Sequence, residues 1–249
     1  MSTASAGNRA ARIAVINGGV SDPSSTRLLL DRITQKAIDA LTTRGFEATV
    51  STIDLGPIAV DIARSLVSGL PSAPVQAAID RLAAADAIVV GTPVYKAGIS
   101  GLVKSFADLL DNDLLLAKPI VLAATGGSAR HSMVVDEQLR PLFAFLRSIP
   151  APTSLYAAPE DWSSSDLGRR IARAANELAA LVGSGVASAI ADENWDKHDH
   201  RFSGNASRAE RGADGVDFAS ELMRLAAGGP SGPAPRLSGA TLGGERLDG

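Results

Sequence analysis

Three short runs along the chain are almost purely apolar: residues 13–16 (IAVI), 87–90 (AIVV) and 120–124 (IVLAA). Continuous apolar runs of this length read as strands buried on both faces, which a parallel sheet covered by helices requires. Two weaker runs, 48–53 (ATVSTI) and 153–157 (TSLYA), mix apolar residues with Ser, Thr and Tyr and read as edge strands. Between the runs the apolar period lengthens to that of a helix with one buried face. Leu29, Ile33, Ala37 and Leu41 form the first stripe, and Val75, Ile79 and Leu82 the second. Leu102, Phe106, Leu109 and Leu110 form the third. Val135, Leu139, Leu142, Phe143 and Leu146 form the fourth, and Ile171, Ala175, Leu178 and Val182 the fifth. Pro141 falls inside the fourth stripe and predicts a kink, because it lacks the N–H of a helical hydrogen bond.

Strands and helices therefore alternate. The pattern predicts a doubly wound α/β domain over residues 11–185, preceded by a flexible N-terminus at 1–10. The mixed second and fifth strands belong at the edges, which selects the five-stranded parallel order 2-1-3-4-5. In that order the ligand crevice lies beyond the carboxyl ends of strands 1, 3 and 4. Residues 186–249 change character and predict a C-terminal extension. Its first part is polar and without period. One short helix is expected near 217–227, with Asp217 as N-cap, Gly228 as the stop and Phe218, Leu222 and Leu225 as its apolar face. The last 22 residues hold seven Gly and three Pro and are expected to be disordered.

Composition narrows the class. The chain has 249 residues, 45% of them hydrophobic, with a net charge of −3, so no basic field points to nucleic acid. It has no cysteine, which excludes disulfides and thiolate chemistry and suits a reducing cytoplasm. No apolar stretch approaches a signal sequence or a membrane span. A cytoplasmic protein is the expectation.

Three loops should meet at the crevice. The first, Asn17 to Arg27, contains Gly19 and ends in Ser24, Ser25 and Thr26 at a helix start, where unpaired N–H groups and the helix dipole suit a phosphate. The competing reading is that Ser24 is an ordinary N-cap. Neither a P-loop nor a G-x-G-x-x-G pattern is present. The second loop, after strand 3, places Pro93, Val94, Tyr95 and Lys96 at the rim. Pro93 gives a rigid corner, and a flat aromatic ligand could lie against Val94 and Tyr95. The alternative is a plain turn with Tyr95 packed at its edge. The third loop, with Thr125, Gly126, Gly127 and Ser128, offers backbone N–H groups just before the fourth helix. Such positive dipole stabilises a reduced flavin, which is negative near N1 and the C2 carbonyl.

Residues 93–97 (PVYKA) followed by 124–128 (ATGGS) resemble the flavodoxin-like NAD(P)H-dependent FMN reductases, over roughly residues 11–160. The nearest group is the small reductases that feed luciferase-like flavin monooxygenases. The resemblance implies FMN and NADPH or NADH as cofactors, with Ser24, Ser25 and Thr26 on the phosphate. It implies that Pro93 to Lys96 line the isoalloxazine and that Thr125 to Ser128 contact its pyrimidine side. The implied reaction is hydride transfer to FMN, with the reduced flavin serving a partner monooxygenase. No catalytic side chain is required, because the chemistry belongs to the cofactors. A non-catalytic flavin carrier of flavodoxin type stands as the alternative, as does a quinone or azo reductase. Relatives of this fold pair subunits beside the flavin, so a homodimer or homotetramer is expected.

Other constellations weigh less. Ser128, His131 and Asp136 could suggest a hydrolase triad, but the G-x-S-x-G elbow is absent. Residues 195–200 (WDKHDH) group two Asp and two His without ligand spacing, so no metal is expected. Lys96 and Arg130 are candidates for the 2′-phosphate of NADPH, which needs a cation.

Overall fold

The computed structural model describes residues 9–194. The expected helix near 217–227, the expected disordered tail and the 195–200 cluster all lie outside the described residues.

Seven strands form the sheet: β1 (Arg9–Asn17), β2 (Phe46–Asp54), β3 (Ala87–Tyr95), β4 (Gly98–Ile99), β5 (Pro119–Thr125), β6 (Ile149–Pro150) and β7 (Leu155–Ala157). Their order is β2-β1-β3-β5-β6, with β7 also on β5 and β4 folded back on β3. Only the β3–β4 pair is antiparallel among these; the rest run parallel. Counting β6 and β7 as two pieces of one edge, the core has the 2-1-3-4-5 order expected from the apolar runs. The edge strand is split because its two pieces pair with opposite ends of β5, at Pro119 and Ile120 and again at Ala123 to Thr125.

The described residues form seven α-helices: α1 (Ser25–Thr43), α2 (Ala59–Ser68), α3 (Ala73–Ala83), α4 (Gly101–Ala107), α5 (Arg140–Phe145), α6 (Ser165–Ser184) and α7 (Val186–Asn194). Side chains alternate across the sheet, so β1 sends Ile13 and Val15 to one face and Ala14 and Ile16 to the other. The first pair packs under α1 and α6, against Leu29, Ile33, Leu41, Ile171 and Leu178. The second packs against Ile62, Val75, Leu82, Phe106 and Phe143 from α2 to α5. No helix among the described residues is long and apolar enough to cross a membrane.

The structure departs from the sequence expectations at five places. β1 begins at Arg9, inside the segment expected to be flexible, because Arg9 and Ala10 pair with Phe46 and Glu47. α2 was hidden from periodicity: only Ile62 and Ser65 of its residues are buried, too few to make a stripe. The helical structure continues past residue 185. Gly185 takes a left-handed conformation, φ 71°, and α7 follows immediately. The distortion expected at Pro141 takes a specific form, and the fourth stripe is not one regular α-helix. A π-helical turn over Val135–Leu139 precedes α5, with the Arg140 N–H donating to the Val135 carbonyl, and Pro141 falls in the first turn of α5, where its missing N–H matters least.

The fifth departure concerns β3. The strand does not stop at Gly91 but runs on through Thr92, Pro93, Val94 and Tyr95 before turning back as β4. β1 ends opposite Gly91, so beyond that point β3 keeps only β5 as a parallel neighbour. Proline is tolerated there as it is on an edge strand. The projection of β3 past the sheet is what carries Tyr95 to the rim.

Candidate functional site

Register places the three loops side by side. Asn17 is opposite Gly91, and Pro93 is opposite Thr125. The carboxyl ends of β1, β3 and β5 therefore form one row, and the loops that leave them share a crevice. Hydrogen bonds join the first loop to the third. The hydroxyls of Thr26 and Thr125 lie 2.7 Å apart, and the Ser25 hydroxyl donates to Thr125 Oγ1 at 3.5 Å. Thr26 and Thr125 are buried, while Ser25 is exposed at the start of α1.

In the first loop the two readings of Ser24 separate. Its Oγ accepts the Arg27 N–H at 3.2 Å, so Ser24 is the N-cap of α1 and its side chain is engaged. Ser25 stays exposed at the start of α1, while buried Thr26 is engaged with the Thr125 hydroxyl. Gly19 is required by close packing: a Cβ there would lie 2.2 Å from Ser24 Oγ. Asn17, a polar residue ending an apolar strand, organises this corner. It is buried, its Oδ1 accepts the Gly19 N–H at 3.0 Å, and its Nδ2 donates to Asp54 at 2.8 Å. Arg27 donates to Asp31 at 2.8 Å and to Asp54 at 3.1 Å. These groups line a cleft of about 900 Å³ bounded by Asn17, Gly19, Ser21, Ser24, Arg27 and Asp54.

The second loop is a two-residue hairpin. Val94 pairs with Ile99 and Tyr95 with Gly98, leaving Lys96 and Ala97 at the tip. Tyr95 is 51% exposed, so its ring is presented at the rim and not packed in the core. Val94 is half-buried beneath it, and Lys96 is exposed. At the base of the hairpin, buried Thr92 Oγ1 accepts the Ser100 N–H at 2.9 Å, and Ser100 in turn caps α4.

In the third loop Gly126 sits over Tyr156. A Cβ on Gly126 would lie 2.2 Å from the Tyr156 hydroxyl oxygen and 3.4 Å from Val94 Cβ. Tyr156 is buried, and its hydroxyl donates to the Ser128 carbonyl at 2.7 Å. Burial pushes the phenol pKa up, with the charge of Glu160 acting in the same direction, so the group stays a neutral donor. Gly127 has open space over its Cα and is exposed. Ser128 Oγ accepts the Arg130 N–H at 3.2 Å and starts a 3₁₀ turn, Ala129–His131. The regular helix expected directly after the glycines is therefore replaced by this short turn, with the π-helical turn beginning only at Val135.

The hydrolase reading fails on geometry. Ser128 is a turn cap, and Asp136 is taken by the Arg140 guanidinium and the Ser154 hydroxyl. Desolvation works to raise the Asp136 carboxyl, but those two donors hold it below its ordinary value of 3.8. No group of three metal-ligating side chains occurs among the described residues.

The twelve residues expected at the crevice lie at or just beyond the carboxyl ends of β1, β3 and β5; Gly19 and Ser24 line the cleft described above, and Ser24 is turned to capping. Reading the sequence missed Asn17, Thr92 and Tyr156, which hold those loops. Asn17 had a signal, as the polar end of the run 13–16; Tyr156 and Thr92 are unremarkable in sequence and act through tertiary contact.

Known proteins bear on the same region. The profile of the NADPH-dependent FMN reductase family matches residues 11–163. A Pseudomonas aeruginosa protein named FMN reductase (NADPH) is 35% identical over 177 residues, covering 69% of this chain and 92% of that protein. The NADH-dependent FMN reductase SfnF of Pseudomonas putida is 36% identical over 183 residues, covering 72% of this chain and 96% of its own length. The crystal structure of an oxidoreductase from Corynebacterium diphtheriae is similar with a TM-score of 0.69 at 41% identity, over 71% of this chain and 98% of that one. The matched span contains the sheet from Ala11 onward and the loops that leave β1, β3 and β5, and the chain belongs to the NADPH-dependent FMN reductase family.

Proposed function

We propose that the protein reduces FMN with NADPH or NADH in the crevice at the carboxyl ends of β1, β3 and β5. The observation that carries this reading is the convergence there of a glycine–hydroxyl loop, a projecting hairpin with a half-exposed tyrosine, and a second glycine pair. The residues present fit a flavin mononucleotide. The open face over Gly127 leaves backbone for a ligand to approach, and Tyr95 offers a flat apolar ring with no structural duty in the core. Ser25, Thr26, Gly19 and the N–H groups of the α1 start would hold the phosphate, with Ser24 keeping that start in shape. Pro93, Val94, Tyr95 and Lys96 would line the ring, and Thr125 to Ser128 its pyrimidine edge.

The bound flavin and nicotinamide supply the redox chemistry, a two-electron hydride transfer from reduced nicotinamide to the flavin. The chain's task is placement. Rigid positioning converts the encounter of two cofactors into an effectively unimolecular step. The Tyr95 ring and Val94 would shield a bound flavin from water. The backbone N–H groups of Gly126 and Gly127 would stabilise negative charge that develops on the flavin. Lys96 and Arg130, both exposed at the rim, provide cations for the 2′-phosphate of NADPH.

We place reduced FMN, released from this open rim, as the substrate of a partner flavin monooxygenase. The exposed apolar side chains of Val67 and Leu70, 91% and 68% exposed, support assembly as a homodimer or homotetramer. The cysteine-free composition supports a cytoplasmic setting. The test is steady-state oxidation of NADPH and NADH with and without added FMN. Turnover that requires FMN is expected with at least one nicotinamide. Tight FMN binding without turnover would leave a flavin carrier instead.

A further inference from the structure

Two consecutive non-glycine residues at the tip of the β3–β4 hairpin adopt left-handed backbone: Lys96 at φ 50° and Ala97 at φ 62°. A two-residue hairpin with both central residues at positive φ is a turn that favours Asn-Gly. Each Cβ here biases the backbone against that turn by roughly tenfold. β4 is only two residues long, and a ribbon this short does not hold itself. Yet the hairpin carries Tyr95 and Lys96, the wall of the crevice. Something outside it must hold the turn.

We propose that Gln138 is the positioning residue that clamps this hairpin and thereby sets the flavin wall, an inference that rests on reading the crevice as the flavin site. The Gln138 Oε1 accepts the Ile99 N–H at 3.0 Å, and its Nε2 donates to the Ala97 carbonyl at 3.3 Å. One side-chain amide thus satisfies a donor and an acceptor on either side of Gly98, as a neighbouring strand would. Gly98 lets it lie close: a Cβ there would stand 3.2 Å from Gln138 Oε1. The clamp has a rigid base. Gln138 projects from the π-helical turn Val135–Leu139, whose end residues are fully buried in the core. Only an amide supplies both an acceptor and a donor here; a carboxylate could accept from Ile99 but would repel the Ala97 carbonyl. Gln138 acts through the hairpin and not on the ligand.

The test compares Gln138→Met, which keeps length without the amide, Gln138→Glu, and Ala97→Gly, which relieves the left-handed strain. Amide hydrogen exchange at Ile99 in the ligand-free protein reads the clamp directly. FMN fluorescence titration reads its consequence, and thermal melting reads the fold. Gln138→Met should speed Ile99 exchange and weaken FMN by about five- to tenfold, the usual worth of one to two such bonds, with melting nearly unchanged. Gln138→Glu should fall between wild type and Gln138→Met. Adding Ala97→Gly to Gln138→Met should recover most of the affinity, because a relaxed turn no longer needs the clamp. Unchanged Ile99 exchange, unchanged FMN affinity, or a loss that Ala97→Gly does not reduce would each overturn the proposal. A wild-type protein that binds no FMN would instead overturn the functional reading beneath it. Wild type and Gln138→Met binding FMN equally well would overturn the clamp alone.

Discussion

Replacing Gly126 by Ala should be the most informative single change in the crevice. The added methyl would stand 2.2 Å from the Tyr156 hydroxyl oxygen and 3.2 Å from its Cζ. Tyr156 cannot withdraw: the residue is 5% exposed, packed in the core cluster, and its hydroxyl is bonded to the Ser128 carbonyl. The loop must therefore lift, and that breaks the 2.7 Å bond to Ser128. Overpacking of this kind costs about 1–3 kcal/mol, and the lost bond adds about 1 kcal/mol. A total of about 3 kcal/mol lowers the melting temperature by roughly 6–12 °C in a domain of this size. Tyr156→Phe alone should cost about 1 kcal/mol. In the double variant the closest clashing atom is gone, so the combined cost should fall below the sum of the two by at least about 1 kcal/mol. Urea unfolding of all four proteins, with unchanged m-values, measures the cycle. FMN titration of the same set should show Gly126→Ala binding far more weakly than wild type and the double variant regaining part of the loss. Additive stabilities, or a Gly126→Ala that melts like wild type, would refute the placement of Tyr156 beneath this loop.

Tyr95→Ala should weaken FMN by about tenfold while melting changes little, since a half-exposed ring contributes stacking and not core; unfolding with unaltered flavin affinity would make it a packing residue. Ser25→Ala should weaken FMN more than riboflavin, which lacks the phosphate, whereas Ser24→Ala should chiefly lower stability by about 1 kcal/mol through the lost cap; two fluorescence titrations and a melt separate them. Lys118 donates to the carbonyls of Leu82, Ala83 and Ala85 at the opposite end of the sheet. Lys118→Met should therefore destabilise the protein by about 2 kcal/mol while FMN affinity stays unchanged, and a change in affinity would contradict the site's location. Asp136 is held below its ordinary carboxylate value despite the opposing effect of burial, so the stability it contributes is present above pH 3.8 and is lost as the pH falls through the depressed value. Asp136→Asn should flatten that acid limb in melting curves recorded against pH.

Much of this protein could be read from periodicity because burial on both faces of a parallel sheet leaves no room for polar residues. Runs 13–16, 87–90 and 120–124 could only be central strands, and the stripe from Leu29 to Leu41 could only be a helix against them. α2 and α7 escaped for the converse reason. α2 buries only Ile62 and Ser65, and a helix with so narrow a contact leaves little periodic trace. The loops at the strand ends were legible as well, because glycine pairs and hydroxyls directly after apolar runs mark where the chain leaves the sheet.

What the linear chain could not decide is which of those residues are free to act. Ser24 and Ser25 look alike in sequence; only the path of the chain into α1 commits Ser24 to the Arg27 N–H and leaves Ser25 exposed. The apolar run ends before Gly-Thr-Pro, and it was pairing with β5 through Pro93 and then with β4 that carried the strand to Tyr95. The supports of the crevice are likewise tertiary. Tyr156 meets Ser128 across 28 positions and Gln138 meets Ile99 across 39, separations at which no local rule operates. Local sequence determined the elements and the chemical character of the rim, because both follow from burial and backbone preference over a few residues. The long-range fold decided which side chains the rim keeps in reserve and which it uses to hold itself in shape, because those contacts exist only once distant strands are in register.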